Sequence, residues 1–225
     1  MSFRILYVTS TAAEAKALDR LKGFRKYPGG YRSDNIDLSL LIAGVGGMST
    51  AWFMTKWIAQ NERPDLAINA GIAGSFKDYI VKGAVVMPVT DCFADSGIED
   101  GDNFLTLSEA GLEDANEFPY RNGLLCADSP YAGKVKNLVM PVSAVTVNRA
   151  SGSAPTINKL IRKYDPDIET MEGATFFYIC AREGIPFLAL RAISNKVEPR
   201  NRDNWNIGLA LDNLVEKVND ILLTF

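Results

Sequence analysis

The chain has 225 residues, 47% hydrophobic and 23% charged, a length that buries a full core in one domain spanning residues 1–225. Its net charge of -3 supplies no field to draw in nucleic acid, and no Lys/Arg cluster compensates. It contains no histidine, which excludes a His base and leaves a transition-metal site without its commonest ligand. Acid–base chemistry must therefore come from carboxylates, Tyr, Lys or Cys. The three cysteines, Cys92, Cys126 and Cys180, are odd in number and far apart. They form no disulfide framework and fit a reducing cytoplasm. The opening run Met1–Val8 lacks signal-peptide architecture, and no apolar stretch reaches membrane-spanning length. Neither a metal nor a cofactor is expected.

In chain order, Arg4 to Thr9 reads as a buried strand and Thr11 to Leu21 as a helix with Ala15, Leu18 and Leu21 on one face. Tyr27 to Tyr31, around Pro28-Gly29-Gly30, is a turn. Ile36 to Ala43 is a strand. Gly44-Val45-Gly46-Gly47 then opens a helix from Met48 to Gln60. A strand from Leu66 to Asn69 closes on Gly71-Ile72-Ala73-Gly74, and Gly83 to Val89 forms another. Residues 95 to 122 are polar and form a long excursion. A strand lies within Val139 to Val147, a helix over Ala154 to Tyr164, a short strand over Asp167 to Met171 and an apolar helix over Glu172 to Glu183. Pro186 to Ile193 is a buried strand, and Asp203 to Leu223 a closing amphipathic helix. This alternation specifies an α/β fold: one three-layer domain with a central mixed, twisted β-sheet flanked by helices.

Several residues admit both a structural and a functional role. Gly44-Val45-Gly46-Gly47 lies between a strand and a helix, where backbone N–H groups could meet an anion, but it lacks the third glycine of a dinucleotide fingerprint. Gly71 and Gly74 either make a plain turn or let a ligand approach the backbone. Glu14 is either an acid complementing a helix N-terminus or a catalytic carboxylate. Glu172, between an apolar strand and an apolar helix, is a buried acid that needs hydrogen-bond donors, and ligand hydroxyls would serve. Asn195, after the most hydrophobic strand, either caps a turn or faces a ligand. Trp205 is a core residue or a wall for a flat base.

Together these pieces resemble the nucleoside phosphorylase/nucleosidase superfamily. The matching segments are Ile5 to Glu14, Gly44-Val45-Gly46, Asp65 to Gly74, Glu169-Thr170-Met171-Glu172-Gly173-Ala174 and Pro186 to Asn195, in the family order. The chain is most like the hydrolase branch, the methylthioadenosine/adenosylhomocysteine nucleosidase and futalosine hydrolase families. Its last third, from Met171 to Trp205, resembles the latter. The resemblance implies hydrolysis of an N-ribosidic bond, no cofactor, a small nucleoside as partner and a homodimer or higher homo-oligomer, with the 95–122 excursion at its interface. It also implies that Glu14 activates the attacking water and that Glu172 binds the ribose hydroxyls beside Met171. Val45, Gly71 and Trp205 then line the substrate.

Two positions depart from the adenosine-cleaving enzymes, which carry Asp at 195 and often Ser at 72. Adenine N7 accepts and its amino group donates, whereas a 6-oxopurine presents two acceptors, N7 and O6. An ionised carboxylate repels both acceptors, while a neutral amide donates to them. Asn195 therefore points to hypoxanthine or guanine, as in the cleavage of futalosine. A purine nucleoside phosphorylase would need basic residues around a phosphate, and no convincing set stands beside the glycine turns. A nucleoside-binding protein without catalysis would keep the pocket alone. Arg149, Arg200 and Arg202 are the candidates for a carboxylate on the ribose 5′ side.

Overall fold

The computed structural model describes residues 2–101 and 103–225; Met1 and Asp102, which belong to the N-terminal run and the 95–122 excursion, lie outside the described residues. Strands covered on both faces read as unbroken apolar runs, and their alternate side chains enter different cores. The first strand, β1 (Phe3–Thr9), sends Ile5 and Tyr7 into one core and Leu6 and Val8 into another. It is followed by α1 (Ala12–Ala17), the hairpin β2 (Arg25–Tyr27) and β3 (Gly30–Arg32), then β4 (Ile36–Ile42), α2 (Gly47–Gln60) and β5 (Leu66–Ser75). Next come β6 (Val85–Asp91), the hairpin β7 (Gly97–Asp100) and β8 (Asn103–Thr106), the short strands β9 (Tyr120–Arg121) and β10 (Leu124–Cys126), and α3 (Ala132–Val135). The chain ends with β11 (Met140–Thr146), α4 (Ala154–Tyr164), β12 (Ile168–Thr170), α5 (Gly173–Arg182), β13 (Phe187–Lys196) and α6 (Ile207–Leu222).

One sheet runs in the order β2-β3-β4-β1-β5-β12-β11-β6-β10-β9, and β13 bridges β5 and β6. The pairings β5–β12, β12–β11, β11–β6, β6–β13 and β13–β5 close a five-stranded ring. Ala73, Val86, Val142, Ala144, Ile168 and Ile193 fill it. On one face of the open part, Leu18 of the turn after α1 and Leu214, Val218 and Ile221 of α6 pack against Leu66, Ile68, Leu188 and Leu190. On the other, Met54 of α2 and Phe176, Phe177 and Cys180 of α5 pack against Ala67, Phe187 and Ala189. Phe177 and Phe187 meet edge to face at 4.8 Å between ring centroids, the geometry aromatic quadrupoles prefer. The three layers are thus helices, a mixed sheet and helices. Among the described residues, no helix is long and apolar enough to cross a membrane.

Two strand ends differ from the sequence expectation in a way that builds the site. β5 does not stop at Asn69 but continues through Gly71 and Gly74 to Ser75, and β13 continues past Ile193 to Lys196. Glycine and asparagine are weak strand formers, but hydrogen-bonding partners on both sides override propensity. β13 stays paired with β5 from Phe187↔Ala67 to Lys196↔Ser75, and β12 pairs with the same end of β5 at Glu169↔Gly74. The Pro28-Gly29-Gly30 turn is the tip of the β2–β3 hairpin, and the polar excursion carries β7, β8 and β9. These edge pieces have too few apolar side chains for a periodic signal.

Candidate active site

A cavity of about 380 Å³ opens where β5, β12 and β13 end. Its wall includes Glu14, Val45, Ile72, Gly74, Ser151, Glu169, Met171, Glu172, Ser194, Asn195, Trp205 and Leu211. Among the described residues, no Lys or Arg lines it. It therefore brings together Glu14, Met171, Glu172, Asn195, Val45 and Trp205 from five separate stretches of chain.

Glu14 performs both tasks that its sequence context left open. Thr11 caps α1 and accepts from the Glu14 N–H, while the Glu14 carboxylate accepts from the Thr11 N–H, a capping box. Glu14 Oε2 also accepts from the Thr11 and Thr9 hydroxyls at 2.8 and 3.2 Å. Among the described residues, Oε1 accepts from the Ile72 N–H alone, at 3.1 Å, so it retains a lone pair for another donor. Gly71 stands behind this carboxylate rather than on the cavity wall. A Cβ at position 71 would lie 2.6 Å from Glu14 Oε1, so glycine here admits the acid into the sheet.

Glu172 is 8% exposed and immediately precedes α5. The glycine turn serves it directly: Gly46, at φ 88°, donates its N–H to Glu172 Oε1 at 2.8 Å. The turn thus holds a protein carboxylate, and the positive φ explains why a glycine occupies this position. Burial pushes the Glu172 carboxyl up; the Gly46 N–H and the charge of Arg191 oppose that, and Glu14 adds to it.

Beneath these acids lies Arg191, 2% exposed, in the middle of β13. It donates to the Asn69 and Leu190 carbonyls at 3.0 and 2.9 Å and to the Asn69 side-chain oxygen. Burial lowers its pKa, and Glu172, Glu14 and Asp91 raise it. The sequence offered a signal for this group, since an Arg inside a run as apolar as Phe187–Ile193 requires buried counter-charges.

Asp91 is fully buried at the end of β6. Its Oδ1 accepts from the Cys92 N–H at 2.8 Å and from the Thr146 hydroxyl at 2.9 Å. Thr146 gives its only proton to Asp91, so the Thr170 hydroxyl, 3.1 Å away, donates to Thr146. Thr170 and Thr146 accept from the N–H groups of Gly173 and Ala174. This relay supplies partners for the first N–H groups of α5 and fixes the helix directly after Glu172. Burial pushes the Asp91 carboxyl up to about 7.

Asn195 sits at a bulge. β13 pairs Ile193 with Ala73 and Asn195 with Gly74, leaving Ser194 as the extra residue. Asn195 Nδ2 donates to the Lys196 carbonyl at 2.8 Å, and Oδ1 accepts from the Ser194 hydroxyl at 2.7 Å. A carbonyl can only accept, so this contact fixes which end of the amide is NH2, and one N–H remains for the cavity. Glu169 on β12 also lines the cavity. Its Oε1 accepts from the Ser151 N–H at 2.9 Å, and burial pushes its carboxyl up against that donor. In the sequence, Glu169 and Ser194 stand out only as members of family-like segments, and nothing marks Ser151. Arg149, Arg200 and Arg202 lie outside the cavity wall, although Arg200 stacks over the Trp205 ring at 5.9 Å.

Buried carboxylates at one end of a sheet-edge cavity and a fixed amide donor at the other are suited to a ligand with hydroxyls and a flat, acceptor-bearing ring. The family model for the phosphorylase superfamily matches residues 4–225, and the chain belongs to that superfamily. Within it, the chain is similar to futalosine hydrolase of Streptomyces coelicolor, 34% identical over 188 residues, which cover 81% of this chain and 77% of that one. It is also similar to futalosine hydrolase of Acidothermus cellulolyticus, 32% identical over 226 residues and covering 95% and 88%. The fold is that of a solved 5′-methylthioadenosine/S-adenosylhomocysteine nucleosidase from Helicobacter pylori, a mutant with 5′-methylthioadenosine in its active site. The TM-score is 0.83 at 13% identity, with both chains covered in full.

The Asp91 site yields a pH prediction. Its pKa of about 7 in the folded chain exceeds its ordinary 3.8. The folded state therefore binds the proton more tightly, and stability falls as pH rises through the window from about 4 to 7. Asp91→Asn retains the acceptor for Cys92 and Thr146 and removes the charge. Its melting temperature relative to the unmodified protein should rise by at least about 2–4 °C between pH 4.5 and 7.5, equivalent to about 1 kcal/mol in a domain of this size. A difference that does not change with pH would remove Asp91 as the origin.

Proposed function

We propose that this chain hydrolyses the N-ribosidic bond of a 6-oxopurine nucleoside, and that the substrate is futalosine, released as hypoxanthine and the base-free sugar. The observation that carries the reading is the Asn195 amide, held with its NH2 donor available to a cavity that also contains Glu14 and Glu172. The similarity to two proteins named futalosine hydrolase supports the same choice.

In this reading water binds Glu14 Oε1, the oxygen with spare acceptor capacity. Its oxygen attacks C1′ and its proton passes to Glu14, while the C1′–N9 bond breaks and its electron pair leaves with the base. Positive charge builds on the sugar, as in glycoside hydrolysis. Glu172 takes the ribose hydroxyls, with Met171 and Val45 beside the sugar and Trp205 along the base. Asn195 donates to the oxopurine as negative charge accumulates there, an electrostatic contribution that needs no proton transfer from the amide. The base takes its proton from solvent. The lack of Lys or Arg in the wall supports water over phosphate as nucleophile, because a phosphorylase has to hold a dianion.

We also propose that the chain forms a homo-oligomer through α2 rather than through the 95–122 excursion. Met48, Trp52 and Phe53 are 88%, 64% and 43% exposed, and Val45 extends this apolar face to the cavity rim. Light scattering should find a dimer or larger species, and Trp52→Lys should reduce its size; a monomeric native protein would refute the assignment.

Incubation with futalosine in phosphate-free buffer should release hypoxanthine, seen by chromatography. Glu14→Gln should retain substrate binding and lose at least about a hundredfold in kcat, the usual contribution of a positioned base. Near-normal turnover in that variant would leave Glu14 with only its capping role.

The base preference is tested by kcat/KM for futalosine against aminodeoxyfutalosine. The unmodified protein should favour futalosine strongly, because a buried group left unpaired by the wrong base is rejected by large ratios. Asn195→Asp should move the preference toward the amino compound, with lower absolute rates, because the new carboxyl faces the Lys196 carbonyl that now receives an N–H. A native preference for the amino compound would favour an adenosine-cleaving nucleosidase instead.

A further inference from the structure

The acid that begins α5 does not cap it. Glu172 occupies the position just before the first helical turn, yet among the described residues its side chain accepts no N–H of its own helix. A polar side chain at that position ordinarily accepts from the second or third helical N–H, which has no partner within the helix. Here the second helical residue is Ala174, and its N–H is already taken. It donates to the Thr146 hydroxyl at 2.8 Å, while the Gly173 N–H donates to the Thr170 hydroxyl at 3.2 Å. Both acceptors come from the sheet, Thr146 from the end of β11 and Thr170 from the end of β12. Capping has been transferred from the helix to the strands beside it, and the Glu172 carboxylate is left to Gly46 and the cavity. Thr146 is the node of this arrangement. It is buried, and its hydroxyl uses its full capacity: one proton for Asp91 and two lone pairs for Thr170 and Ala174. Asp91, by taking the proton, commits both lone pairs to those donors. Gly173 permits the close approach, since a Cβ there would lie 2.1 Å from Asp91 Oδ2 and 2.9 Å from the Thr170 hydroxyl.

We propose that Thr146 is a positioning residue for sugar recognition: by capping α5 from the sheet, it keeps the Glu172 carboxylate out of its own helix and available to the ribose hydroxyls. This rests on the reading of Glu172 as the ribose anchor and deepens it. A buried N–H without a partner is costly and draws any acceptor within reach. Without the Thr146 hydroxyl, the Ala174 N–H loses its partner, and the acid one position before the helix is placed to replace it. The positive end of the helix dipole pulls the carboxylate the same way. Glu172 would then satisfy its own helix instead of a ligand. The loss would fall on the sugar and spare the base, because Asn195 on β13 takes no part in the relay.

The test is Thr146→Val, which removes the hydroxyl and keeps the branched shape. The KM for futalosine should rise at least about tenfold, the weight of one hydrogen bond to a charged group. Inhibition by free hypoxanthine should be unchanged, and kcat should change less than KM. Thr146→Ser returns the hydroxyl and should return KM towards its native value. In a Glu172→Gln background the valine should add little to the loss, because the carboxylate through which Thr146 acts is gone. A valine variant that melts lower but keeps its KM, one that weakens futalosine and hypoxanthine alike, or additive losses in the double variant would overturn the proposal. If the valine variant fails to fold, amide exchange at Ala174 decides, measured in Glu14→Gln with and without futalosine. The amide should be protected in both states, because the threonine holds it throughout. Protection that appears or disappears when futalosine binds would overturn the proposal. An unmodified protein that releases no base from 6-oxopurine ribosides would instead refute the functional reading on which this one rests.

Discussion

The site depends on a buried guanidinium. Glu14, Glu172 and Asp91 are all withdrawn from water within the influence of Arg191, and burying several carboxylates without a counter-charge would be prohibitive. Arg191 directs its donors at Asn69 and at backbone carbonyls rather than at the acids themselves. It therefore compensates their charge through the field and leaves their oxygens to other donors: Thr9, Thr11 and Ile72 at Glu14, Gly46 at Glu172, Cys92 and Thr146 at Asp91. A direct ion pair would have consumed the acceptors that a ligand needs. The cation is itself held in place by β13, which pairs on both sides, so its position is as rigid as the sheet.

Closure of the ring explains why so many polar groups can converge at one point. β5 borders β1 through its first half and β12 through its last two residues, with β13 alongside for nearly its whole length. The strand ends that would otherwise fan apart are drawn together, and the cavity lies on their rim. Helix starts contribute from outside the sheet: α1 brings Glu14, and α5 brings Glu172 through the threonine relay.

The layers of the fold were legible because both helices and doubly covered strands have strong apolar patterns; α4 spans Ala154 to Tyr164 as the sequence indicates. The acids were legible as candidates because Glu14 and Glu172 stand at helix starts beside apolar chain. What the sequence hid was pairwise. Gly71 and the Gly44–Gly47 turn were recognisable as places where something approaches the backbone. That the approaching groups are the protein's own carboxylates depends on contacts 58 and 126 residues apart in the chain. The continuation of β5 and β13 through Gly, Ser and Asn was equally hidden, because it comes from neighbouring strands and not from local propensity. Asp91 ends the apolar strand β6, a signal as clear as that of Glu172, whereas Glu169 lies inside the three-residue strand β12, and only the assembled fold shows that Glu169 and not Asp91 faces the cavity.

The extra residue at Ser194 separates two demands that usually conflict. Ile193 still packs inside the ring with Ala73 and Val86, while the chain beyond it is advanced by one position, so Asn195 takes the place opposite Gly74. The side chain proposed to meet the base is thus uncoupled from the packing of the ring directly before it. A lineage could exchange Asn for an acidic residue there, and so alter the hydrogen bonding that the cavity wall offers a ligand, without disturbing the apolar interior. A bulge of this kind makes ligand choice an evolvable position within an otherwise conservative architecture.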